Sequence, residues 1–280
     1  MIKKIFLILF VLFSCSNEIS NQSNPENISL FVITEDITLG ENRVVYTVLD
    51  KEGNNISENV NFKLKKIDDS KEMIIEDYEL VDWPGNRSVF KSDLAFDSTG
   101  YWEIIGEYKK SNTKGVIEVK EISSTLNTGE KVSSIKTPSL ENKKIIDLST
   151  DIEPDLNLYT HSLDIALEKK VPIILSFSTP GLCVTAICAP QLNVLKEIRS
   201  NYQDKLIVIH VEIWENFKEI MNTGDFSVGN LNESVQLFGI TSEPWTFLID
   251  NNGFVENRYQ GFVDYKELKK DLSKINVYDQ

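Results

Sequence analysis

Hydrophobic and polar positions alternate in short stretches along residues 28–122, with the period of two that is typical of half-buried β-strands. Turn-forming sequences, such as residues 51–55 and 111–115, separate the apolar stretches. The pattern predicts seven strands, at residues 28–34, 42–50, 59–66, 73–80, 88–96, 100–108 and 115–122. Short strands at this spacing predict an all-β sandwich.

An immunoglobulin-like sandwich is the form that the number and spacing of these strands favour, and we place it at residues 27–122. This stretch contains no cysteine, so packing alone would hold its two sheets together. Trp102 follows Gly100 at the start of a predicted strand. We expect its large apolar side chain to anchor the core.

A polar segment at residues 123–154, rich in Ser, Thr, Asn and Lys, is predicted to be a linker or an extended arm laid over the next domain. From residue 155 the pattern alternates between the helical and the strand period. Helices are predicted at residues 159–169, 188–202, 215–221, 232–238 and 264–275, and strands at residues 171–178, 205–213, 245–250 and 254–260. This order predicts an α/β fold at residues 155–280, in which a parallel strand pair is followed by a β-hairpin.

Composition and charge narrow the classes of function. The chain has 280 residues, of which 41% are hydrophobic, and this content can fill two modest cores. The formal net charge is −14 and the pI is near 4.7. Because an acidic chain repels the phosphate backbone, nucleic acid is excluded as a partner. The sequence shows no internal repeat and no membrane segment in its middle.

The N-terminus has the features of an export signal. Lys3 and Lys4 precede an apolar stretch of about nine residues, which suits a signal peptide and is too short to span a bilayer. Residues 12–15, Leu-Phe-Ser-Cys, resemble the lipobox of bacterial lipoproteins, although Phe13 is bulkier than the residue usual at its position. The alternative is an ordinary secretory signal with a chance cysteine.

The lipobox resemblance implies a lipoprotein signal peptide at residues 1–15, a lipid on Cys15 and a flexible tether at residues 16–26. The protein would then be lipid-anchored to the cell membrane on its extracytoplasmic side, or lie in the periplasm. Lipidation of Cys15 leaves Cys183 and Cys188, the other two of three cysteines, as a pair. Export also provides a compartment in which disulfides persist.

Cys183 and Cys188 lie where a buried strand is followed by a helix. The apolar strand at residues 171–178 leads into a loop with Pro180 and Gly181, and the helical pattern begins at about Cys188. Unpaired N–H groups and the positive end of the helix dipole would stabilise a thiolate at such a position. The placement therefore points to thiol chemistry.

Three features of residues 155–277 resemble the thioredoxin superfamily: the strand–loop–cysteine–helix unit, the run Glu-Pro-Trp-Thr-Phe-Leu-Ile-Asp at residues 243–250, and the Asn-Asn-Gly hairpin that follows. In that family a cis-proline opens the strand that faces the catalytic cysteine, and Pro244 matches it. Residues 188–191, Cys-Ala-Pro-Gln, resemble the family's Cys-Gly-Pro-Cys but lack its glycine and its second cysteine. The resemblance implies that substrate lies along Pro244, while Trp245 either lines the same groove or fills the core.

The two predicted domains together are similar to exported bacterial proteins that join an immunoglobulin-like domain to a thioredoxin-like domain with a displaced cysteine pair.

Within one regular helix the Cα atoms of Cys183 and Cys188 would be about 8.7 Å apart, whereas a disulfide needs about 4.4–6.8 Å. Cys183 must therefore lie in the loop, folded back over the helix start. We predict that Cys188 is the attacking thiolate and Cys183 the resolving thiol. A purely structural disulfide and two unreactive buried thiols remain open as alternatives.

Two neighbouring families can be weighed on particular residues. Atypical two-cysteine peroxiredoxins carry Thr-Pro-Gly-Cys with a second cysteine five positions on, and residues 179–183 are similar with one residue inserted. Those enzymes have an arginine two positions before the Thr or Ser of the later strand, where this chain has Pro244. Sco-type copper proteins add a distant histidine to the pair, but His161 and His210 fall in a predicted helix and a predicted strand instead of a late loop.

We therefore predict a membrane-anchored extracytoplasmic thiol–disulfide oxidoreductase that acts on the thiols and disulfides of exported proteins. No metal or organic cofactor is implied, and electrons would come through another thiol protein. The alternatives are a non-catalytic binding or scaffold lipoprotein with a structural disulfide, and a peroxiredoxin-like peroxidase.

Overall fold

The structure, a computed structural model, describes residues 27–69 and 72–278. The predicted signal peptide, the lipidation site Cys15 and the predicted tether lie outside the described residues. Within the described ranges, no helix combines the length and the apolar character needed to cross a bilayer.

Nine strands build the first half of the described chain and form two sheets. They are β1 (Ile28–Val32), β2 (Ile37–Thr38), β3 (Gly40–Asp50), β4 (Val60–Lys66), β5 (Glu72–Ile75), β6 (Glu79–Trp83), β7 (Arg87–Phe96), β8 (Gly100–Tyr108) and β9 (Ser111–Lys120). One sheet has the order β1-β3-β7-β6 and the other has the order β2-β9-β8-β4-β5. Neighbouring strands are antiparallel, except that β2 and β9 are parallel.

Inward-facing side chains of both sheets form one core. In β4, Val60, Phe62 and Leu64 are buried, while the residues between them are partly or fully exposed. This is the alternation that the sequence predicts for a strand with one buried face. Trp102 is fully buried, and its ring packs edge-on against Phe96 with 5.4 Å between ring centroids. The expectation that Trp102 anchors the core is confirmed.

Two predictions for these strands are wrong. Residues 111–115, predicted as a turn, are the first residues of β9. The stretch at residues 73–80, predicted as one strand, contains the two strands β5 and β6, which belong to different sheets. Glu76 and Asp77 lie between them and are exposed, and acidic side chains of this kind do not continue a half-buried strand. The sequence pattern also missed β2, because two residues are too few to show a period.

The second half of the chain is an α/β structure with one four-stranded sheet. Its strands are β10 (Ile173–Phe177), β11 (Ile207–Val211), β12 (Trp245–Ile249) and β13 (Val255–Gln260), and its helices are α1 (Leu163–Glu168), α2 (Cys188–Tyr202), α3 (Phe217–Thr223), α4 (Glu233–Leu237) and α5 (Tyr265–Lys274). Short 3₁₀ helices lie at Ile145–Asp147, Leu156–Tyr159, Gln203–Lys205 and Phe226–Val228. The sheet order is β11-β10-β12-β13, with β10 and β11 parallel and the other neighbours antiparallel. The predicted parallel pair followed by a hairpin is confirmed.

Helices cover both faces of this sheet. All five residues of β10 are buried, as expected for a strand with packing on either side. On one face Leu195 of α2 and Leu272 of α5 share a core cluster with Ile174. On the other face Val235 of α4 shares a cluster with Leu175. The strand that precedes the cysteine loop is therefore held in the centre of the fold.

The polar segment at residues 123–154 is an extended arm against the α/β part. The N–H of Val132 donates to the carbonyl of Gly253 at 2.9 Å, so one end of the arm runs beside the β12–β13 hairpin. Val132 and Leu148 are buried in the clusters on the two faces of the sheet. This part of the segment therefore packs on the α/β sheet.

Buried charged groups join the two halves of the chain. Arg43 of β3 donates from Nε and Nη2 to the two carboxylate oxygens of Glu267 in α5, both at 2.8 Å. Arg258 of β13 donates from Nη1 to Oδ2 of Asp36 and from Nη2 to the Asp36 carbonyl, also at 2.8 Å. Burial raises the pKa of Asp36, but hydrogen bonds, foremost from Ser123, and the charge of Arg258 outweigh it and lower the value to about 2.

Candidate active site

Cys183 and Cys188 form a disulfide with their sulfur atoms 2.17 Å apart and their Cα atoms 6.1 Å apart. Cys188 is the first residue of α2, and Cys183 lies in the preceding loop. The loop turns back on itself: the N–H of Leu182 donates to the Thr179 carbonyl at 3.0 Å, and the N–H of Ala186 donates to the Cys183 carbonyl at 3.4 Å. The prediction that Cys183 folds back over the helix start is confirmed.

The first turn of α2 leaves the positive end of the helix without a compensating charge from its own residues. Ile187 precedes the helix and offers no capping side chain, and the first turn contains no acidic residue. Pro190 has no N–H, so the N–H groups of Cys188 and Ala189 are the donors at this end. A negative charge on the Cys188 sulfur would be stabilised there.

The two sulfur atoms differ in accessibility. Cys188 is fully buried, whereas Cys183 is partly exposed and is followed by Val184, which is 90% exposed. The Cys183 sulfur lies 3.2 Å from the hydroxyl of Thr185. A substrate must reach the sulfur with which it reacts, and Cys183 is the more exposed of the two cysteines. The burial of Cys188 therefore argues against the predicted order, in which Cys188 attacks and Cys183 resolves.

Pro244 directly precedes β12 and follows Glu243, whose carboxylate lies close to the disulfide. The Glu243–Pro244 peptide bond is cis, as the resemblance implies. Oε2 of Glu243 accepts a hydrogen bond from the N–H of Thr179 at 2.5 Å. A carboxylate oxygen of Glu243 and the sulfur atoms of Cys183 and Cys188 lie within 4.8 Å of one another. The Glu243 side chain is therefore next to the cysteine pair.

Trp245 fills the core. It is 2% exposed, and its ring stacks on Phe247 with 5.7 Å between centroids. The guanidinium of Arg258 lies 5.7 Å from the centroid of the same ring. Of the two roles predicted for Trp245, packing in the core is the one that the structure shows, because so buried a side chain does not reach a substrate.

Two glutamates near the pair were not singled out from the sequence. Glu212 follows β11 and is 4% exposed, and its Oε1 accepts hydrogen bonds from the N–H and the hydroxyl of Thr150 at 2.6 and 2.9 Å. Burial raises the pKa of Glu212 to about 8, although these hydrogen bonds lower it. Burial also raises the pKa of Glu243 to about 7, against the hydrogen bonds of Thr179. The one feature of the sequence that could have pointed to Glu243 is its position directly before Pro244.

The arm reaches the site through Thr150. The N–H of Gly181 donates to Oγ1 of Thr150 at 2.8 Å, and the same hydroxyl donates to Glu212. A Cβ on Gly181 would lie 2.9 Å from the Cβ of Thr150, so the loop and the arm can approach this closely only because residue 181 is glycine. The arm thus holds the cysteine loop close to the end of β11.

His210 lies in β11 inside a buried hydrogen-bonded network. Its Nδ1 is 2.8 Å from the hydroxyl of Tyr159, and its Nε2 is 2.9 Å from the hydroxyl of Ser178. Burial lowers the pKa of His210 to about 4, and the charge of Lys196 acts in the same direction, while the Ser178 carbonyl and the charge of Asp151 raise it. The imidazole is therefore neutral at physiological pH.

His210 should make the protein sensitive to acid. Its folded-state pKa lies below the ordinary 6.5, so the folded protein binds fewer protons and stability is lost as pH falls from about 6.5 towards 4. A shift of this size corresponds to about 3 kcal/mol of unfolding free energy between pH 7 and pH 4. We expect the free energy of unfolding of the parent, minus that of His210→Gln, to fall by about this amount between pH 7 and pH 4. Denaturant unfolding of both proteins at the two pH values measures it.

The comparison with His210→Gln is needed because Glu212 and Glu243 act in the opposite sense. Because their pKa values are raised in the folded protein, they lower the stability of the protein as pH rises above about 4.5. The parent and His210→Gln both keep these two carboxyls, so the contribution of the carboxyls cancels in the difference between the two unfolding free energies. A difference that is the same at both pH values would contradict the assignment to His210.

A Cys–Cys–His copper site finds no support. Within the described ranges, the group of side chains placed to hold a metal ion consists of Cys183, Cys188 and Glu243. Neither His161 nor His210 belongs to it. The copper alternative is therefore set aside for the described part of the chain.

Comparison with known proteins returns solved structures of thioredoxin-like proteins. One is described as a thiol:disulfide interchange protein DsbE from Chlorobium tepidum, with 15% identity over 54% of this chain and 99% of that chain and a TM-score of 0.38. Another is a thioredoxin family thiol:disulfide interchange protein from Chlorobium tepidum TLS, with 15% identity, coverage of 51% and 99%, and a TM-score of 0.33. A third is the pneumococcal exposed lipoprotein thioredoxin Etrx1 from Streptococcus pneumoniae strain TIGR4, with 21% identity, coverage of 39% and 89%, and a TM-score of 0.30. No protein-family profile and no curated protein matches the chain.

The α/β part is thioredoxin-like by its own architecture. It has the predicted parallel strand pair followed by a β-hairpin, a disulfide at the start of the helix after a central strand, and a cis-proline directly after Glu243, whose carboxylate lies close to that disulfide. Similarity at the values above does not identify a function. The function has to be argued from the site.

Proposed function

We propose that this chain is a thiol–disulfide oxidoreductase that acts on exported proteins. The observation that carries the proposal is the Cys183–Cys188 disulfide, which has one accessible sulfur and one buried sulfur at the start of α2. The lipobox resemblance supports a lipid on Cys15. The chain would then work on the extracytoplasmic side of the cell membrane.

Exchange would begin at the accessible sulfur. A substrate thiolate attacks Sγ of Cys183, the bond between Cys183 and Cys188 breaks, and its electron pair leaves on the Cys188 sulfur. A second substrate thiolate then attacks the substrate's own sulfur in the mixed disulfide and releases Cys183 as a thiolate. The substrate has lost two electrons and gained a disulfide, and the pair has gained two electrons. The reverse sequence reduces a substrate disulfide.

Cys188 is suited to be the leaving and resolving sulfur because of where it lies. A thiol with a lower pKa leaves faster, and the N–H groups at the start of α2 favour the thiolate form of Cys188, whereas its burial and the nearby Glu243 carboxylate oppose it. Its burial keeps it away from substrate, so the sulfur that it meets is that of Cys183. This order is the reverse of the one predicted from the sequence.

Trapping the mixed disulfide tests both the function and the order. In a chain carrying Cys15→Ser, the variant Cys188→Ser should attack a disulfide substrate through Cys183 and stop there, because no thiol remains to resolve the complex. The variant Cys183→Ser should trap at least about tenfold less, since Cys188 is buried. Non-reducing electrophoresis and mass spectrometry after exposure to exported proteins measure the trapped fraction.

Each variant serves as the control for the other, because each leaves one thiol at the same site. More trapping through Cys183→Ser than through Cys188→Ser would overturn the proposed order and restore the order predicted from the sequence. No trapping through either variant, with both folded by circular dichroism, would overturn the exchange function and favour a structural disulfide.

The peroxidase alternative lacks support at this site. A peroxide needs a cation to polarise it, and the position predicted for that arginine holds Pro244. The side chain that borders the two sulfurs is the carboxyl of Glu243. The acid would oppose charge development on a peroxide oxygen instead of stabilising it.

The remaining parts of the proposal concern domain organisation. We assign residues 27–122 to an immunoglobulin-like domain, residues 123–154 to an arm, and residues 155–280 to a thioredoxin-like domain. The nine strands in two sheets support the first assignment, and the junction of Arg43 and Arg258 supports a fixed placement of the two domains. The sandwich would hold the exchange site at a set distance from the membrane anchor.

A further inference from the structure

Three metal-binding atoms meet at the cysteine pair. The sulfur atoms of Cys183 and Cys188 and a carboxylate oxygen of Glu243 lie within 4.8 Å of one another. The hydrogen bond from the N–H of Thr179 fixes the carboxylate at this place. Disulfide exchange needs only the two sulfurs. The Glu243 carboxylate beside them adds a third atom that could bind a metal ion.

We propose that the reduced protein binds one Zn²⁺ ion through Cys183, Cys188 and Glu243. Two thiolates and a carboxylate are ligands that zinc takes readily, and three protein ligands leave a fourth tetrahedral position for water. A soft monovalent copper ion would make less use of the carboxylate. This site departs from the sequence-based expectation that the protein needs no metal.

The distances fit such a site after a small movement. Around a tetrahedral Zn²⁺, sulfur and oxygen ligands at their usual bond lengths are about 3.5–3.8 Å apart. The two sulfur atoms are 2.17 Å apart in the disulfide, so they must separate by about 1.6 Å on reduction. Cys188 is fixed in α2, whereas Cys183 lies in a loop and can supply the movement.

Reduction also creates the charge that the cation neutralises. Two thiolates beside the Glu243 carboxylate would place three negative charges within 4.8 Å, and each would oppose the ionisation of the others. Zn²⁺ removes this repulsion. In the oxidised protein the sulfurs are joined in a disulfide and offer no thiolate, so one carboxylate remains. Binding is therefore switched by the redox state of the pair.

Electrons and protons balance in the reduction of the pair and in the binding of zinc. A dithiol reductant gives two electrons and two protons to the disulfide and is itself oxidised to a disulfide. Zn²⁺ then displaces the protons of the two thiols, which pass to solvent. Zinc would shield the reduced pair from oxidation until a stronger ligand removes the ion. The inference requires that the pair can be reduced, and it does not require exchange with a substrate.

The test titrates zinc chloride against the full-length chain carrying Cys15→Ser, under anaerobic conditions, in competition with a chromogenic chelator. We expect one Zn²⁺ per reduced chain and none per oxidised chain. Glu243→Gln should weaken the affinity at least about tenfold, because it removes a charged ligand while its amide oxygen can still accept from Thr179. The control is Glu215→Gln, an exposed acidic residue outside the cluster, which should leave the affinity unchanged.

Two results would overturn the site. One is equal affinity for zinc in the reduced and oxidised chains, and the other is equal affinity in Glu243→Gln and the parent. If Glu243→Gln fails to fold, Co²⁺ in the reduced parent provides the second measurement: tetrahedral absorption with a sulfur-to-cobalt band is expected, and its absence rejects the site. A chain that binds zinc but traps no substrate would contradict the exchange function and leave the zinc site standing.

Discussion

Replacing Cys183 by serine should lower the catalysed reduction of a protein disulfide by a factor of at least about 10³, the scale on which enzymes lose activity when a nucleophile is removed. Cys183 is the accessible sulfur, and a serine hydroxyl neither ionises near neutral pH nor forms a disulfide. The rate of insulin disulfide reduction, with dithiothreitol as the electron donor, measures the effect.

Two controls belong to this experiment. Cys15→Ser should leave the rate unchanged, because Cys15 lies outside the predicted exchange unit. Cys188→Ser should lose turnover as well, yet retain one round of attack through Cys183. If Cys183→Ser keeps more than about a tenth of the parent rate, the pair is not the reacting group.

Arg258→Ala should lower the free energy of unfolding by about 3 kcal/mol, because it breaks a buried ion pair. The Asp36 carboxylate would keep only Lys120, whose Nζ lies 3.5 Å from Oδ1, as a counter-charge. The side chains of Arg258 and Asp36 are 10% and 3% exposed. Arg258 also donates to Ser123 at 2.6 Å, so one substitution disrupts a network that joins β13 to the first half of the chain. Chemical denaturation followed by tryptophan fluorescence measures the loss.

The matched control is Arg87→Ala, which removes an exposed arginine and should change stability by no more than about 0.5 kcal/mol. A double-mutant cycle with Asp36→Ala then isolates the pair. A loss below about 1 kcal/mol in Arg258→Ala would show that the junction does not depend on this ion pair.

Much of the α/β part could be predicted because its signals are local. The start of α2 at Cys188 follows from the apolar spacing of Leu192, Leu195 and Ile198, all of which are buried. The strands β10 and β12 are short, rich in large apolar residues and clearly bounded. In the sandwich, Glu76 and Asp77 mark a break within residues 73–80, but the placement of the two halves in different sheets had no local signal, because it depends on which distant strands pair with each half.

The cysteine pair could be found from the sequence, whereas its surroundings could not. Thr150 and Glu212 reach the site from the arm and from the end of β11, and no spacing in the chain relates them to Cys183. The burial that separates the two sulfurs is also a tertiary property. This is why the sequence could point to the cysteine pair but could not show which of the two residues is exposed.

The reduction potential of the Cys183–Cys188 pair tests the central claim most directly. Equilibration of the Cys15→Ser chain with redox buffers of known potential, followed by alkylation and mass spectrometry, gives the value. An exchange-active pair should lie above about −300 mV, in the range of proteins that pass electrons to other thiols. A value well below that limit would identify a structural disulfide and contradict the assignment as an oxidoreductase.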